Sequence, residues 1–224
     1  MQLYIGNKNY SSWSLRSWLL MKQLGIAFTE KPLRLDWAEG SPFKRTLLAI
    51  APTGRVPLLV DDSFAVWDSL AIAEYLAERF PDKGVWPDDT RQRARARSLC
   101  AEMHSGFAAL RERCPMNIEA SLPEIGAQAV REWPAVIADA RRIDEMWSEQ
   151  LAASGGPFLF GAFGAVDAFY APVCARIATY GLAVGASSRA YVERVHALPS
   201  MREWCEAARA ESDFLVEDEP YRQP

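Results

Sequence analysis

Between Lys8 and Gly25 the chain reads KNYSSWSLRSWLLMKQLG, which sets Tyr10, Ser11, Ser12 and Ser14 at the head of an apolar helix. One serine suffices to cap a helix, so the surplus hydroxyls ask for a use beyond capping. Hydroxyl donors beside the free amides and positive dipole end of a helix favour a negative charge placed against them. Asp68-Ser69, ahead of LAIAEYLAERF, forms a second helix start of this kind, suited to holding a carboxylate on its free amides and the Ser hydroxyl. Plain capping explains these residues equally well when each is taken alone.

The elements that must position these groups are readable from apolar spacing. LYIG, from Leu3 to Gly6, is a short strand, and Leu15, Trp18 and Leu19 give the following helix its buried stripe up to Gly25 at the C-terminal cap position. A second strand lies within IAFTEKPLRL; Ser41 and Pro42 then start a helix as N-cap and first helical residue. VPLLV and FAVW flank Asp61-Asp62-Ser63 as a hairpin, and Asp68 or Ser69 caps a helix running to about Phe80. The order is βαβ, a helix, then ββα, an α/β unit of residues 1 to 80.

The Pro-, Gly- and Asp-rich stretch FPDKGVWPDDT marks a linker over residues 81 to 90, after which residues 91 to 224 read as an all-α domain. Arg91 to about Cys114 reads as one long helix, and Val136, Ala140, Ile143, Trp147 and Leu151 mark the stripe of another. FLFGAFGAVDAFYAPVCARIATYG is apolar on every side and predicts the central helix of that domain. Ser200 and Glu203 have capping-box spacing ahead of the last helix.

Composition narrows the function classes. Half of the 224 residues are hydrophobic, enough for a real core. The net charge is −4; residues 1 to 82 carry nine Lys and Arg against nine Asp and Glu, so the deficit sits in the C-terminal part and no basic face is offered to nucleic acid. No apolar run approaches a membrane span, and MQLYIGNKNY has no signal-peptide character, so the expectation is a cytoplasmic protein with no membrane partner. Cys100, Cys114, Cys174 and Cys205 are widely spaced and the chain has two histidines, which argues against a metal site or disulfide framework.

Three stretches carry a resemblance to the cytosolic glutathione transferases. SSWSLR aligns without gaps to the SSCSWR pattern of the zeta class and less closely to SPFGMR of the tau class. APTGRVPLLV with WDSLAIAEYL is similar to the family's NPxGxVPxL and ESxAIxxYL, and FLFGAFGAVDAFYAPV resembles the start of its buried sixth helix. The resemblance implies a thioredoxin-like glutathione-binding domain followed by the helical domain, in a homodimer that detoxifies or isomerises a small electrophile with glutathione as co-substrate. A thiol ionises near pH 8.5, so a hydroxyl that stabilises the glutathione thiolate is needed. Zeta- and tau-like alignment makes that group Ser11, theta-like spacing makes it Ser12, and Tyr10 stands close by. No cysteine precedes Cys100, which disfavours dithiol chemistry at the first helix.

The same resemblance implies a cis peptide between Val56 and Pro57, with the Val56 backbone turned toward the cysteinyl unit of glutathione. It also implies that Asp68 and Ser69 hold the γ-glutamyl end, and that a second-substrate pocket lies between the domains. Trp13, Met103, His104 and Phe107 are candidates for that pocket, with core packing the competing use of Met103 and Phe107. Lys44 reads as a surface lysine within reach of the glycyl carboxylate. Asp167 reads as structural: Gly164 stands where the family usually has Ser or Thr, leaving only a bond from the Gly164 amide back to Asp167. A non-catalytic ligand carrier or interaction module on the same fold is the alternative.

Overall fold

A computed structural model of the chain describes residues 1 to 223. The first part runs β1 (Gln2–Ile5), α1 (Ser12–Gln23), β2 (Thr29–Pro32), α2 (Pro42–Leu48), β3 (Leu58–Asp61), β4 (Phe64–Trp67) and α3 (Ser69–Arg79). Its sheet has the order β2-β1-β3-β4, with β1 parallel to β2 and antiparallel to β3, and Leu3 opposite both Glu30 and Leu59. Alternation inside the short strands buries Leu3, Ile5 and Leu59 against the helices. The hairpin closes over Asp62 and Ser63, with Asp62 in the left-handed region at φ 53°.

The rest is helical: α4 (Thr90–Ser105), α5 (Ala108–Arg113), α6 (Pro123–Glu132), α7 (Pro134–Ser154), α8 (Ala165–Tyr180), α9 (Ala186–Ala197) and α10 (Pro199–Ala210). Helix α8 is buried along its length apart from Ala178, and it packs against α1, α4 and α9. One continuous apolar core therefore runs from Leu15 and Trp18 of α1 to Phe169 and Tyr170 of α8, so the sheet-bearing part and the helical part share it.

Two sequence expectations are corrected here. The long helix expected from Arg91 to Cys114 breaks after Ser105: Gly106 is extended and Phe107 sits at φ 54°, a costly conformation for a bulky side chain. The break is supported from a distance, because the Asp139 carboxylate of α7 accepts the Leu110 amide at 2.9 Å. It redirects the chain so that α5 carries Arg111 toward the face of α1. The capping box expected at Ser200 does not form; Leu198 is the N-cap of α10, Pro199 follows it, and Ser200 instead donates to Gln23 Oε1 of α1 at 2.5 Å.

After α10 the chain returns over the β1–α1 loop, where three carboxylates fix it. Glu211 accepts the amides of Lys8 and Asn9 at 2.7 and 3.2 Å, Asp213 accepts Asn7 Nδ2 at 2.8 Å, and Glu219 accepts Tyr10 Oη and Asn117 Nδ2, both at 2.8 Å. Arg222 also donates to Glu219. Burial pushes the Glu219 carboxyl up, but the bonds from Arg222, Tyr10 and Asn117 outweigh it and hold the group below the usual carboxylate range.

Candidate active site

The β1–α1 turn delivers three serine hydroxyls to one place, but they do different work. Ser11 occupies the N-cap position of α1 without bonding a helix amide through its side chain. Its hydroxyl lies 2.7 Å from Ser14 Oγ, which accepts the Gly6 amide at 3.1 Å. The three-residue spacing puts Ser11 and Ser14 on one face of the first turn. Gly6 has no spare room, since a Cβ there would lie 2.5 Å from Leu35 Cδ2. Ser12, half-buried, shares the cavity wall with Ser11. The Tyr10 hydroxyl is engaged within the chain: it donates to Glu219, and burial, reinforced by that carboxylate, raises it to about 12.

A cavity of about 610 Å³ lies between the β3 entrance, the start of α3 and the face of α4, and Lys44, Val56, Pro57, Asp68, Ser69 and His104 all contribute to it. The Val56–Pro57 peptide is cis. Asp68, at φ 74°, is the N-cap of α3 and accepts the Leu70 amide at 2.8 Å, while its other oxygen meets His104 Nε2 at 3.2 Å. Ser69 is 2% exposed and its hydroxyl has no partner. A buried hydroxyl beside a cavity with nothing to bond is costly unless a ligand completes it. Lys44 is not free: its Nζ donates to the Gly54 carbonyl at 3.1 Å and lies over the Trp37 ring.

A second cavity of about 490 Å³ adjoins the first, with Trp13, Trp37, Val56 and Arg111 forming part of both walls. Ser11 and Ser12 face it from α1, and Met116, Arg176 and Asp218 from the other side. Trp13 stands where the two cavities meet. Its ring meets His104 edge-on at 4.9 Å and lies 4.1 Å from the Arg16 guanidinium carbon and 5.1 Å from that of Arg111. Met103 and Phe107 line neither cavity; both side chains are buried in the core. Among the candidates for a second-substrate wall, the structure thus places Trp13 and His104 on the cleft and leaves the other two in the packing.

Reading the sequence alone missed four contributors. Ser14 had a usable signal, its i, i+3 spacing from Ser11. Arg111 and Arg176 had none, because a charge on a helix ordinarily marks a solvated face. Asp218 comes from the returning C-terminal segment; burial raises its carboxyl to about 6. Among the described residues no group of three His, Cys, Asp or Glu side chains is gathered for a metal ion.

A four-stranded mixed sheet with flanking helices, a cis proline at the entrance to β3, and a following helical bundle define a thioredoxin-like domain joined to an all-α domain. Residues 10–79 match the family model described as glutathione S-transferase, N-terminal domain, and residues 90–207 the one described as glutathione S-transferase, C-terminal domain; the chain belongs to the glutathione S-transferase family. Glutathione S-transferase D7 of Drosophila melanogaster is 36% identical over 78 residues, 34% of each chain. The maleylacetoacetate isomerase of Pseudomonas aeruginosa is 32% identical over 136 residues, 59% of this chain and 62% of that protein. The chain thus spans about a third to three fifths of the length of these curated relatives. A crystal structure of a glutathione transferase homolog from Burkholderia gl BGR1 with bound glutathione superposes with a TM-score of 0.70 at 25% identity, covering 94% of this chain and 98% of the other.

Proposed function

We propose that the protein is a glutathione-dependent transferase or isomerase in which residues 1 to 80 bind glutathione and residues 91 to 224 build the wall for its electrophilic partner. The observation that carries this reading is the pair of helix N-termini opening on one continuous cleft. Ser11 stands at the end of α1 and the unpartnered Ser69 hydroxyl at the end of α3. The γ-glutamyl carboxylate fits the amides and hydroxyl at the start of α3, Asp68 faces the ammonium group, and the sulfur comes to α1.

At α1 the Ser11–Ser14 pair supplies an ordered donor. In the ligand-free chain Ser11 donates to Ser14, which also accepts the Gly6 amide; when a thiolate arrives, the Ser11 O–H turns to it and Ser14 rotates to donate to Ser11. In conjugation the sulfur forms a bond to the electrophilic carbon as the leaving group departs with its electron pair, and the thiol proton passes to solvent. In isomerisation the S–C bond forms across a double bond, rotation follows, and the same bond breaks to regenerate glutathione. The relative named maleylacetoacetate isomerase supports keeping the second route. Cytoplasmic residence and homodimeric assembly belong to the same proposal: all four cysteines are unpaired, and Phe64 on β4 is 60% exposed and available to a second copy. A role in detoxification follows if the route is conjugation.

The test is an ultraviolet titration of bound glutathione. The thiolate should form well below pH 8.5, and Ser11→Ala should raise its midpoint and lower turnover at pH 7 while leaving the peptide's affinity mostly intact. If the midpoint moves in Ser12→Ala and not in Ser11→Ala, the activating hydroxyl is Ser12. If it moves in neither and no electrophile turns over, the chain is a glutathione-binding carrier.

A further inference from the structure

Two arginines of the helical domain line the cleft and a third lies buried behind them, and among the described residues none of the three is paired with an acid. Arg176 of α8 is 4% exposed and forms part of the 490 Å³ cavity; its Nε donates to the Cys114 carbonyl at 2.8 Å and its Nη1 to the Pro172 carbonyl at 3.3 Å. Arg111 of α5 reaches the same cavity and is steadied by the His104 and Gly106 carbonyls at 3.4 and 3.3 Å. Arg16 lies behind them under Trp13, with Nε and Nη1 buried and unpartnered. Among the described residues none of the three has a carboxylate within ion-pair distance, whereas Arg34, Arg79, Arg97, Arg113, Arg142 and Arg222 are each paired with one.

The electrostatics agree with the geometry. Burial lowers Arg16 to about 9 and Arg176 to about 10, and in each case neighbouring guanidinium charge lowers it further: Arg176 and Arg111 act on Arg16, and Arg111 on Arg176. Burying like charges without a counterion is costly, and an arginine with carbonyl-anchored nitrogens keeps the rest of its planar fork for a carboxylate. Two acids share the cavity, Glu112 and Asp218. Glu112 is engaged with Arg113 at 3.2 Å, and Asp218 reaches no arginine within ion-pair distance.

We propose that the electrophile taken by this cleft is an anion, its carboxylate seated on Arg111 and Arg176 and its reactive carbon directed toward Ser11 and the glutathione sulfur. This rests on the reading of the cleft as a glutathione site and narrows the substrate class. The carboxylate supplies the missing counter-charge, and neutral electrophiles of the same shape leave the arginines unpaired.

Isothermal titration with 4-chloro-3-nitrobenzoate and its carboxamide, which differ in charge at nearly equal size, tests the assignment. Both are measured on the full chain with and without saturating S-methylglutathione, whose sulfur cannot displace the chloride. The benzoate should bind at least tenfold more tightly than the amide in both conditions. Arg111→Met should bring that ratio close to one, as should Arg176→Met if it folds, whereas Arg95→Met on the exposed side of α4 should leave it unchanged. Equal binding of the two compounds overturns the proposal, as does a preference that survives Arg111→Met. Loss of the preference once S-methylglutathione is bound also overturns it, because the arginines then serve glutathione's own carboxylate. Failure of S-methylglutathione to bind strikes the proposed function instead, and the benzoate-to-amide ratio without it still decides the role of the arginines.

Discussion

Helices α3 and α8 each begin with an aspartate, Asp68 as the N-cap of α3 and Asp167 in the first turn of α8, and the two ends are finished in opposite ways. At α8 the Asp167 carboxylate, itself buried, accepts the Leu159 amide at 3.1 Å, the Gly164 amide at 3.0 Å and the Tyr191 hydroxyl at 2.8 Å. At α3 Asp68 accepts a single helix amide, keeps its second oxygen beside His104, and leaves the neighbouring Ser69 hydroxyl with no partner at the cavity wall. A helix end whose donors are all answered from within the chain is scaffold. An end with an unanswered buried hydroxyl facing a cavity is prepared for a ligand.

The largest effect should come from breaking the closed end. Asp167→Ala leaves a buried amide, a part-buried amide and a buried hydroxyl unpaired, and unfolding by denaturant should show a loss of about 3 kcal/mol or more at pH 7, with glutathione affinity of the remaining folded protein little changed. The pH dependence carries a second signature. Burial raises the Asp167 carboxyl to about 6, with the three donors pulling it back toward ionisation. A carboxyl whose folded pKa is raised adds stability that is complete below the unfolded value of 3.8 and fades as pH rises through about 6. From pH 7 to 5 the parent chain should therefore gain about 1 kcal/mol that the alanine variant does not. A stability difference that is flat over that window would mean the carboxyl ionises at an ordinary pH.

The open end should respond the other way round. Ser69→Ala removes a hydroxyl that bonds nothing in the ligand-free chain, so the folding midpoint should hardly move, while glutathione affinity should fall by roughly 1 to 3 kcal/mol through loss of a donor to a charged group. Calorimetric titration with glutathione reads it directly. An unchanged dissociation constant would place Ser69 in the scaffold class with Asp167 and erase the contrast between the two helix ends.

The open ends are local and the walls around them are not, which decides how much the sequence could show. Hydroxyls at a helix start, a hairpin over Asp61-Asp62-Ser63 and a Pro at β3 depend on residues within a few positions of one another. The strand and helix order of the first part was readable for that reason. The break at Gly106 and Phe107 depends on Asp139, about thirty residues on, so the apolar spacing alone ran α4 and α5 together. Ser200 had capping-box spacing, yet Pro199 started the helix a residue earlier and freed Ser200 for Gln23 across the core. Arg111 and Arg176 lie on different helices and meet only through the packing of α5 near α8. Neither residue type nor spacing distinguishes them from surface cations.

The smallest effect tests whether the end of α1 is open in the same sense as that of α3. Ser11 donates to Ser14 in the ligand-free chain, so by the criterion applied to α8 this end is closed. Yet the pair differs from Asp167 in having a hydroxyl hydrogen bond to redirect: an arriving thiolate can accept the hydrogen bond of the Ser11 hydroxyl while Ser14 turns to donate to Ser11. Ser14→Ala should then leave Ser11 in place but less well oriented, raising the midpoint of the bound thiol by less than one pH unit, about 1 kcal/mol or less of differential stabilisation, and by less than Ser11→Ala does. Glutathione affinity at low pH, where the thiol is neutral, should be the same in both variants and in the parent. Equal shifts in Ser11→Ala and Ser14→Ala would make the two hydroxyls a single donor unit. A shift larger in Ser14→Ala would mean that the sulfur lies against Ser14 or Ser12 and that Ser11 only closes the helix end.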